Sequence, residues 1–199
     1  MAEKNFLIIY GHPGSKGFSF YFLKEVLDIL GLKKINFEIL DLYKINYDPV
    51  MKIEEHYTSG NKNISEQNLE IQQKIKESSG MIFIYPIWWG GMPAIMKGFI
   101  DRVFTSGFAF KYGVNKILKF VPVKLLKDKK IIVFNSLGGP KVFYKLLLDP
   151  FKLINKIIIF GLFCKKVKTY QIYSASRITD KRIAEIKKIT QKGINWLLK

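Results

Sequence analysis

Residues 81–104 read Met81-Ile82-Phe83-Ile84-Tyr85-Pro86-Ile87-Trp88-Trp89-Gly90-Gly91-Met92-Pro93-Ala94-Ile95-Met96-Lys97-Gly98-Phe99-Ile100-Asp101-Arg102-Val103-Phe104. The first five residues form an unbroken apolar run, as in a strand buried on both faces, and Pro86 is expected to stop it. Pro93 fits the first turn of the next helix, where a missing N–H costs nothing. The pairs Ile95/Met96, Phe99/Ile100 and Val103/Phe104 give that helix one apolar face. Between strand and helix lies a loop with two adjacent tryptophans and two glycines. Both indoles cannot face a core across so short a loop, so at least one is expected to be exposed or to line a cavity.

The same alternation runs through the rest of the chain. Asn5–Tyr10 is a short apolar run stopped by Gly11, and Phe22, Leu23, Val26, Leu27 and Leu30 follow at helical spacing with Gly31 as a C-terminal cap. Ile35–Leu40 reads as a second strand, and residues 65–77 as a helix after a polar stretch. Lys130–Asn135 reads as a fourth strand before the Gly138-Gly139-Pro140 turn, Val167–Ile172 as a fifth, and residues 179–198 as a closing helix. Strands separated by helices of this length form a parallel sheet, so the expected fold is a three-layer α/β/α domain. No repeat, low-complexity tract or linker divides the 199 residues, and residues 1–199 are read as a single domain.

Composition narrows the function. The longest apolar run, Ile157–Cys164, has eight residues where a membrane span needs about 20. Met1-Ala2-Glu3-Lys4 and the run after it are too short for a signal peptide, so the expectation is a cytoplasmic protein. One cysteine, Cys164, excludes an internal disulfide, and with only His12 and His56 no metal site is expected. Cys164 reads as an inert buried thiol and His56 as a solvated histidine. The net charge of +17 sits entirely in residues 111–199, which hold 21 Lys+Arg and 4 acids; residues 1–110 hold 12 of each. That asymmetry reads either as lysine-rich compositional drift or as the mark of an anionic partner. Only three residues are arginine, the residue that reads guanine bidentately, and no nucleic-acid partner is expected. Segment 114–168 interleaves lysines with Phe, Leu and Ile, as in Lys141-Val142-Phe143-Tyr144-Lys145-Leu146-Leu147-Leu148. It reads either as peripheral contact with an anionic membrane or as a dimer face with a solvated lysine side.

In parallel sheets ligands bind beyond the C-terminal strand ends, which directs attention to loops 11–18, 86–92 and 136–144. Gly11-His12-Pro13-Gly14-Ser15-Lys16-Gly17-Phe18-Ser19 runs from a strand into a helix N-terminus, where N–H groups and the helix dipole suit a phosphate. It matches neither a Walker A loop nor the Gly-x-Gly-x-x-Gly fingerprint, and a glycine-rich turn is also a plain structural need. Trp88 and Trp89, flanked by Gly90 and Gly91, offer a planar wall and close backbone approach for a flat ring; the other reading is core packing and a dimer anchor. The third loop, Ser136-Leu137-Gly138-Gly139, ends at Tyr144 near a helix start and offers further N–H donors and one phenol.

Taken with Asp41-Leu42-Tyr43, Pro49 and Gly107-Phe108-Ala109-Phe110-Lys111-Tyr112, these loops and the 85–104 stretch make the chain resemble the flavodoxin-like NAD(P)H:quinone oxidoreductases, the NAD(P)H dehydrogenase (quinone) or modulator-of-drug-activity group. The resemblance covers roughly residues 5–145. It implies a flavodoxin-like five-stranded parallel sheet of order 2-1-3-4-5, a homodimer in which Phe104–Tyr112 reaches across, and a flavin that takes hydride from NAD(P)H and passes two electrons to a quinone or similar acceptor by ping-pong kinetics. It implies that His12, Gly17, Phe18 and Ser19 hold the flavin phosphates and ribityl chain, that Pro86, Ile87, Trp88, Trp89 and Gly90 pack on the ring, and that Ser136, Gly138 and Gly139 approach its pyrimidine edge. Tyr144 falls on the family's catalytic tyrosine, which neutralises the reduced ring. The chain departs from the family by having no histidine near Asp149-Pro150, and Gly17 stands where many members carry serine. The cofactor is FMN or FAD, and the lack of an extra adenine-binding segment favours FMN. Two other roles stay open: a flavodoxin-type electron carrier, although such carriers are generally acidic, and a regulatory subunit of a cation efflux system.

Overall fold

A computed structural model describes residues 4–56, 63–112 and 121–199. Residues 114–120 of the basic segment singled out above therefore lie outside the described residues. Five parallel strands form one sheet: β1 (Asn5–Tyr10), β2 (Asn36–Asp41), β3 (Gly80–Pro86), β6 (Lys130–Ser136) and β7 (Lys166–Ile172). β4 (Phe110–Lys111) and β5 (Val123–Lys124) pair separately as a two-residue antiparallel ribbon. The order across the sheet is β2-β1-β3-β6-β7, which is the expected 2-1-3-4-5 once the ribbon is set aside. The central strand β3 is buried at all seven positions, because neighbours cover both its edges and helices cover both its faces.

Successive side chains of each strand point to opposite faces, and this divides the core in two. On one face Phe6, Ile8, Ile82, Ile84, Ile132 and Phe134 pack under α1 (Phe18–Leu32) and α6 (Asp180–Leu198). On the other, Leu7, Ile9, Met81, Phe83, Ile131 and Val133 pack under α2 (Glu66–Glu77), α3 (Ala94–Val103) and a segment that includes Phe160 and Phe163. Two capped starts are as the residues suggest: Ser65 Oγ accepts from Asn68 N before α2, and Thr179 Oγ1 accepts from Arg182 N before α6. α3 is tied down on its outer side. Arg102 donates to both carboxylate oxygens of Glu55 at 2.7 Å, and also to the Asp48 carbonyl. Gly98 lies so close to the chain at Pro49 that a Cβ would come within 2.2 Å of the Pro49 carbonyl oxygen.

Three element boundaries differ from expectation. Gly31 does not cap α1: the helix runs to Leu32, and the turn is closed by Lys34 in the left-handed region at φ 53°, with Lys34 N donating to Gly31 O and Ile35 N to Leu30 O. Pro86 does not stop β3 but is its last residue, opposite Ser136, a position where its missing N–H is tolerated. Pro93 sits one residue before α3 rather than inside its first turn, and its carbonyl accepts from Met96 N and Lys97 N. The connection from β6 to β7 contains a six-residue α4 (Lys141–Leu146), α5 (Pro150–Leu153), a π-helical turn over Ile154–Ile159 and a 3₁₀ turn over Phe160–Leu162. Among the described residues, no helix is long and apolar enough to cross a membrane, and no cluster of His, Cys, Asp or Glu could hold a metal ion. Cys164 is buried, and burial pushes its thiol up.

Candidate active site

The three loops meet at the C-terminal edge of the sheet because β1, β3 and β6 are neighbours there. Gly11 N donates to Ile84 O at 3.0 Å, and Ile87 N donates to Ser136 O at 2.8 Å, so each loop leaves its strand hydrogen-bonded to the next. Gly11 packs closely on α3: a Cβ there would lie 2.7 Å from Met96 Cε, so the methionine tip would have to shift. In the first loop His12 Nδ1 lies 3.0 Å from Gly14 N and 3.1 Å from Gly14 O, so the backbone of Gly14 holds the imidazole in place. The His12 ring also leans on Trp88, with centroids 6.0 Å apart.

The loop ends at Gly17, the N-cap of α1, where no side chain caps the helix. The first N–H groups of α1 are therefore left to a ligand or to water. Phe18 and Ser19 are buried, the former under the Arg182 guanidinium, so toward a phosphate they can offer backbone N–H groups and not their side chains. Loops 11–17, 87–93 and 136–144 contain Lys16 and Lys141 and no Asp or Glu. Together with the helix dipole, that favours an anion.

The second loop is a tight reversal in which Trp88 N donates to Gly91 O and Gly91 N to Trp88 O, at 2.9 and 3.0 Å. Its two central residues, Trp89 at φ 48° and Gly90 at φ 76°, are both left-handed, as in a type I′ turn. Glycine adopts this conformation freely. Tryptophan does not, yet Trp89 stands at the tip with its whole side chain in solvent, and Trp88 is 41% exposed. The expectation of at least one exposed indole is met by both.

In the third loop Ser136 is buried at the end of β6, Leu137 N donates to Ile172 O, and Ser174 N donates to Gly139 O, which ties the loop to the end of β7. Tyr144 lies in α4 with its ring on Gly139, where a Cβ would approach it to 3.0 Å. Behind it stands a group the sequence did not bring together. Asp149, at φ 49°, accepts from the Tyr173 hydroxyl and from Lys152 Nζ (3.0 Å), and Lys152 also donates to Tyr173 at 3.0 Å. The Tyr173 and Tyr144 rings are 5.8 Å apart. Burial works against ionisation of Asp149, but the Tyr173 hydrogen bond and Lys152 outweigh it and hold the carboxyl below its ordinary value. Burial and the Asp149 charge push the Tyr173 phenol up. The only signal of this cluster in the sequence was Tyr173's place just past the fifth strand, at the ligand-binding edge.

A flat, phosphate-bearing ligand can be tested against these residues. A Cβ added at Gly17, Gly90, Gly91 or Gly138 would meet nothing within 4 Å, so the backbone there is open to an incoming group. Uncapped N–H groups for a phosphate, an exposed indole pair for a planar ring and a second glycine loop for polar ring atoms lie along one edge. The residues present fit such a group.

The family model described as "Flavodoxin-like fold" matches residues 4–187. An uncharacterized NAD(P)H oxidoreductase of Haemophilus influenzae is 34% identical over 160 residues, 80% of this chain and 76% of the relative. A ribosyldihydronicotinamide dehydrogenase (quinone) of Rattus norvegicus is 30% identical over 161 residues, 72% of this chain and 68% of the relative. Among solved structures, an FMN-dependent NADH-azoreductase of Bacillus anthracis in complex with FMN superimposes with a TM-score of 0.73 at 18% identity, covering 98% of this chain and 99% of that one.

Proposed function

The chain belongs to the flavodoxin-like family, and from that premise we propose that it is an NAD(P)H-dependent flavoprotein oxidoreductase that binds FMN and reduces a quinone or a similar two-electron acceptor. One observation carries this reading most directly: a tryptophan loop at the strand edge where ligands of such sheets bind, with Trp89 fully exposed in a left-handed turn and Trp88 beside His12. The names of the Haemophilus and rat relatives support the redox class, and the FMN-bound neighbour supports the cofactor class.

Flavin, when bound, supplies hydride acceptance and two-electron transfer; the protein supplies position and electrostatics. The N-terminal N–H groups of α1 would hold the phosphate, with Lys16 as the nearest cation in that loop. The His12 imidazole, held by Gly14 and set beside Trp88, would offer its other ring nitrogen to the ligand. Trp88 and Trp89 would cover the ring and exclude water from one side, which strengthens every hydrogen bond beneath them. Backbone N–H groups of Gly138 and Gly139 would face the polar ring edge, with Tyr144 against them. Lys152 and Tyr173 keep Asp149 paired, so the rear of Tyr144 carries no uncompensated negative charge.

The test is one visible spectrum of the purified protein, before and after anaerobic NADPH or NADH. Oxidised-flavin bands that bleach within seconds are the expected result. A protein that stays colourless after incubation with FMN and with FAD would overturn the reading. Parallel lines in initial-rate plots against a soluble quinone would establish the ping-pong order, and release of the chromophore followed by mass determination would decide FMN against FAD. The same reading takes the protein as a homodimer. Tyr112, Val121, Val123 and Leu125 expose apolar surface around the β4–β5 ribbon, a face on which a second copy would pack. Sedimentation of wild type and Tyr112→Asp checks this: the variant is expected to shift toward monomer.

A further inference from the structure

The connection between β6 and β7 carries a helix with no buried side. α4 is composed of Lys-Val-Phe-Tyr-Lys-Leu, and not one of its residues is buried. Val142 and Leu146, one turn apart on the same stripe, are 75% and 82% exposed. Phe143 and Leu147 form the adjacent stripe, and Leu148, Leu153, Ile157 and Ile158 continue the exposed apolar surface along the connection. An apolar band of this extent marks a contact surface.

Its charge says which kind. Lys141, Lys145, Lys152 and Lys156 lie within the band, and Asp149 is the only acid between residues 129 and 179. That acid is already paired with Lys152 and Tyr173. A second copy laid on the band would press lysine against lysine with no free carboxylate to meet them. An anionic lipid surface offers the complement to both features, hydrocarbon for the leucines and phosphate for the lysines. We propose that residues 141–158 dock the protein peripherally on anionic phospholipid bilayers. α4 follows directly on Gly138-Gly139-Pro140, so docking sets the third loop of the candidate site against the lipid surface. The inference stands without the redox reading, because lipid binding is measured with no turnover.

The experiment is co-sedimentation of the full chain with vesicles of phosphatidylcholine alone or mixed with phosphatidylglycerol, at about 0.15 M salt. Binding to the mixed vesicles and not to the neutral ones is expected. Because a chain of +17 charge is attracted to any anionic surface, three double variants localise the contact. Val142→Gln/Leu146→Gln is expected to lower the bound-to-free ratio by about tenfold or more. Lys145→Gln/Lys156→Gln is expected to lower it by about thirtyfold, roughly a factor of five per lysine. Lys187→Gln/Lys188→Gln, which removes the same charge from exposed positions on α6, is expected to change it by less than about threefold. Thermal melts confirm that each variant is folded. No binding to the mixed vesicles overturns the proposal, as does an equal loss in the α6 variant. So does sedimentation velocity in which Val142→Gln/Leu146→Gln turns a dimer into a monomer, since the band would then belong to a second copy.

Discussion

Two connections cross the same face of the sheet, from β3 to β6 through α3 and from β6 to β7 through α4 and the π-helical turn, and they solve the same problem differently. In α3 six of ten residues are buried, and even its outer side is pinned by Gly98 on Pro49 and Arg102 on Glu55. In α4 and α5 nothing is buried, and only Asn155 is buried in the π-helical turn that follows. Both are rich in Val, Ile, Leu and Phe, so apolar content alone does not decide which one forms core. The first connection is finished within the chain. The second holds the sheet through Phe160, Phe163 and Cys164, with Ile159 and Leu162 beside them, and turns Val142, Leu146, Leu148, Leu153, Ile157 and Ile158 outward.

The contrast breaks most visibly at Arg102. Its guanidinium is 7% exposed and bonded to both Glu55 oxygens. Arg102→Met leaves the Glu55 carboxylate without its guanidinium partner and with only the Lys52 N bond, and a loss of about 3 kcal/mol is expected in urea or thermal unfolding. The pH dependence supplies the sign. Burial opposes ionisation of Glu55, but its hydrogen bonds to Arg102 and to Lys52 N hold its carboxyl below the ordinary value of 4.5. A depressed carboxylate contributes stability that is present above its unfolded value and is lost as pH falls through the folded one. Wild type should therefore weaken on acidification below about pH 5. In Arg102→Met the largest opposing contributions are gone and only the Lys52 N bond and the Lys52 charge still offset burial, so the loss of stability on acidification through the same range should shrink. Unfolding midpoints at pH 4 and pH 7 for both proteins check this, and an equal or larger loss in the variant would refute it.

At the second anchor the expected effect is smaller and runs against intrinsic propensity. Gly→Ala inside a helix ordinarily stabilises it by up to about 1 kcal/mol. At Gly98 the new Cβ would meet the Pro49 backbone at 2.2 Å, so Gly98→Ala should instead cost about 1–3 kcal/mol through displacement of residues 48–55. A rise in melting temperature would show that α3 is not seated on that segment.

How much of this the chain announces in advance follows from range. The inner strands β1, β3 and β6 are near-continuous apolar runs, legible within about six residues each, while the outer β2 and β7 mix polar and apolar residues; the three site loops follow from the rule that parallel sheets bind ligands at one edge. The β4–β5 ribbon is two residues per strand, too short for any period to register. The run Ile157–Cys164 gives no period either. Its π and 3₁₀ turns arise because Phe160, Phe163 and Cys164 must reach the sheet while Ile157 and Ile158 need not. Asp149, Lys152 and Tyr173 join through pairing of β7 with β6, and nothing in their spacing foretells it.

Backbone conformation ties the two exposed surfaces together. Among the described residues, six other than glycine have positive φ: Lys34, Asn46, Trp89, Leu148, Asp149 and Ser174. Four are polar, and of the two that are not, one stands at the tip of the tryptophan loop and the other in the apolar band. A bulky side chain in the left-handed region costs about 1 kcal/mol or more. Trp89→Asn places there a residue that tolerates the conformation, so the melting temperature should rise, by about 1 kcal/mol in stability. FMN affinity, read by quenching of flavin fluorescence, should fall in the same variant. A fall in both would mean that the indole is needed by the fold.

Leu148→Asn is the counterpart in the band and the smallest effect of the series. Leu148 is 81% exposed at φ 60°, so the fold gains little from its side chain and loses by its conformation. Stability should rise by about 0.5–1 kcal/mol, while binding to anionic vesicles should weaken and flavin binding should not change. That separation is what distinguishes the two surfaces: relief of strain at Trp89 registers at the ligand, and relief of strain at Leu148 registers at the lipid. If Leu148→Asn lost stability instead, its side chain would have to be packed, and α4 would share the role that α3 plays in the core.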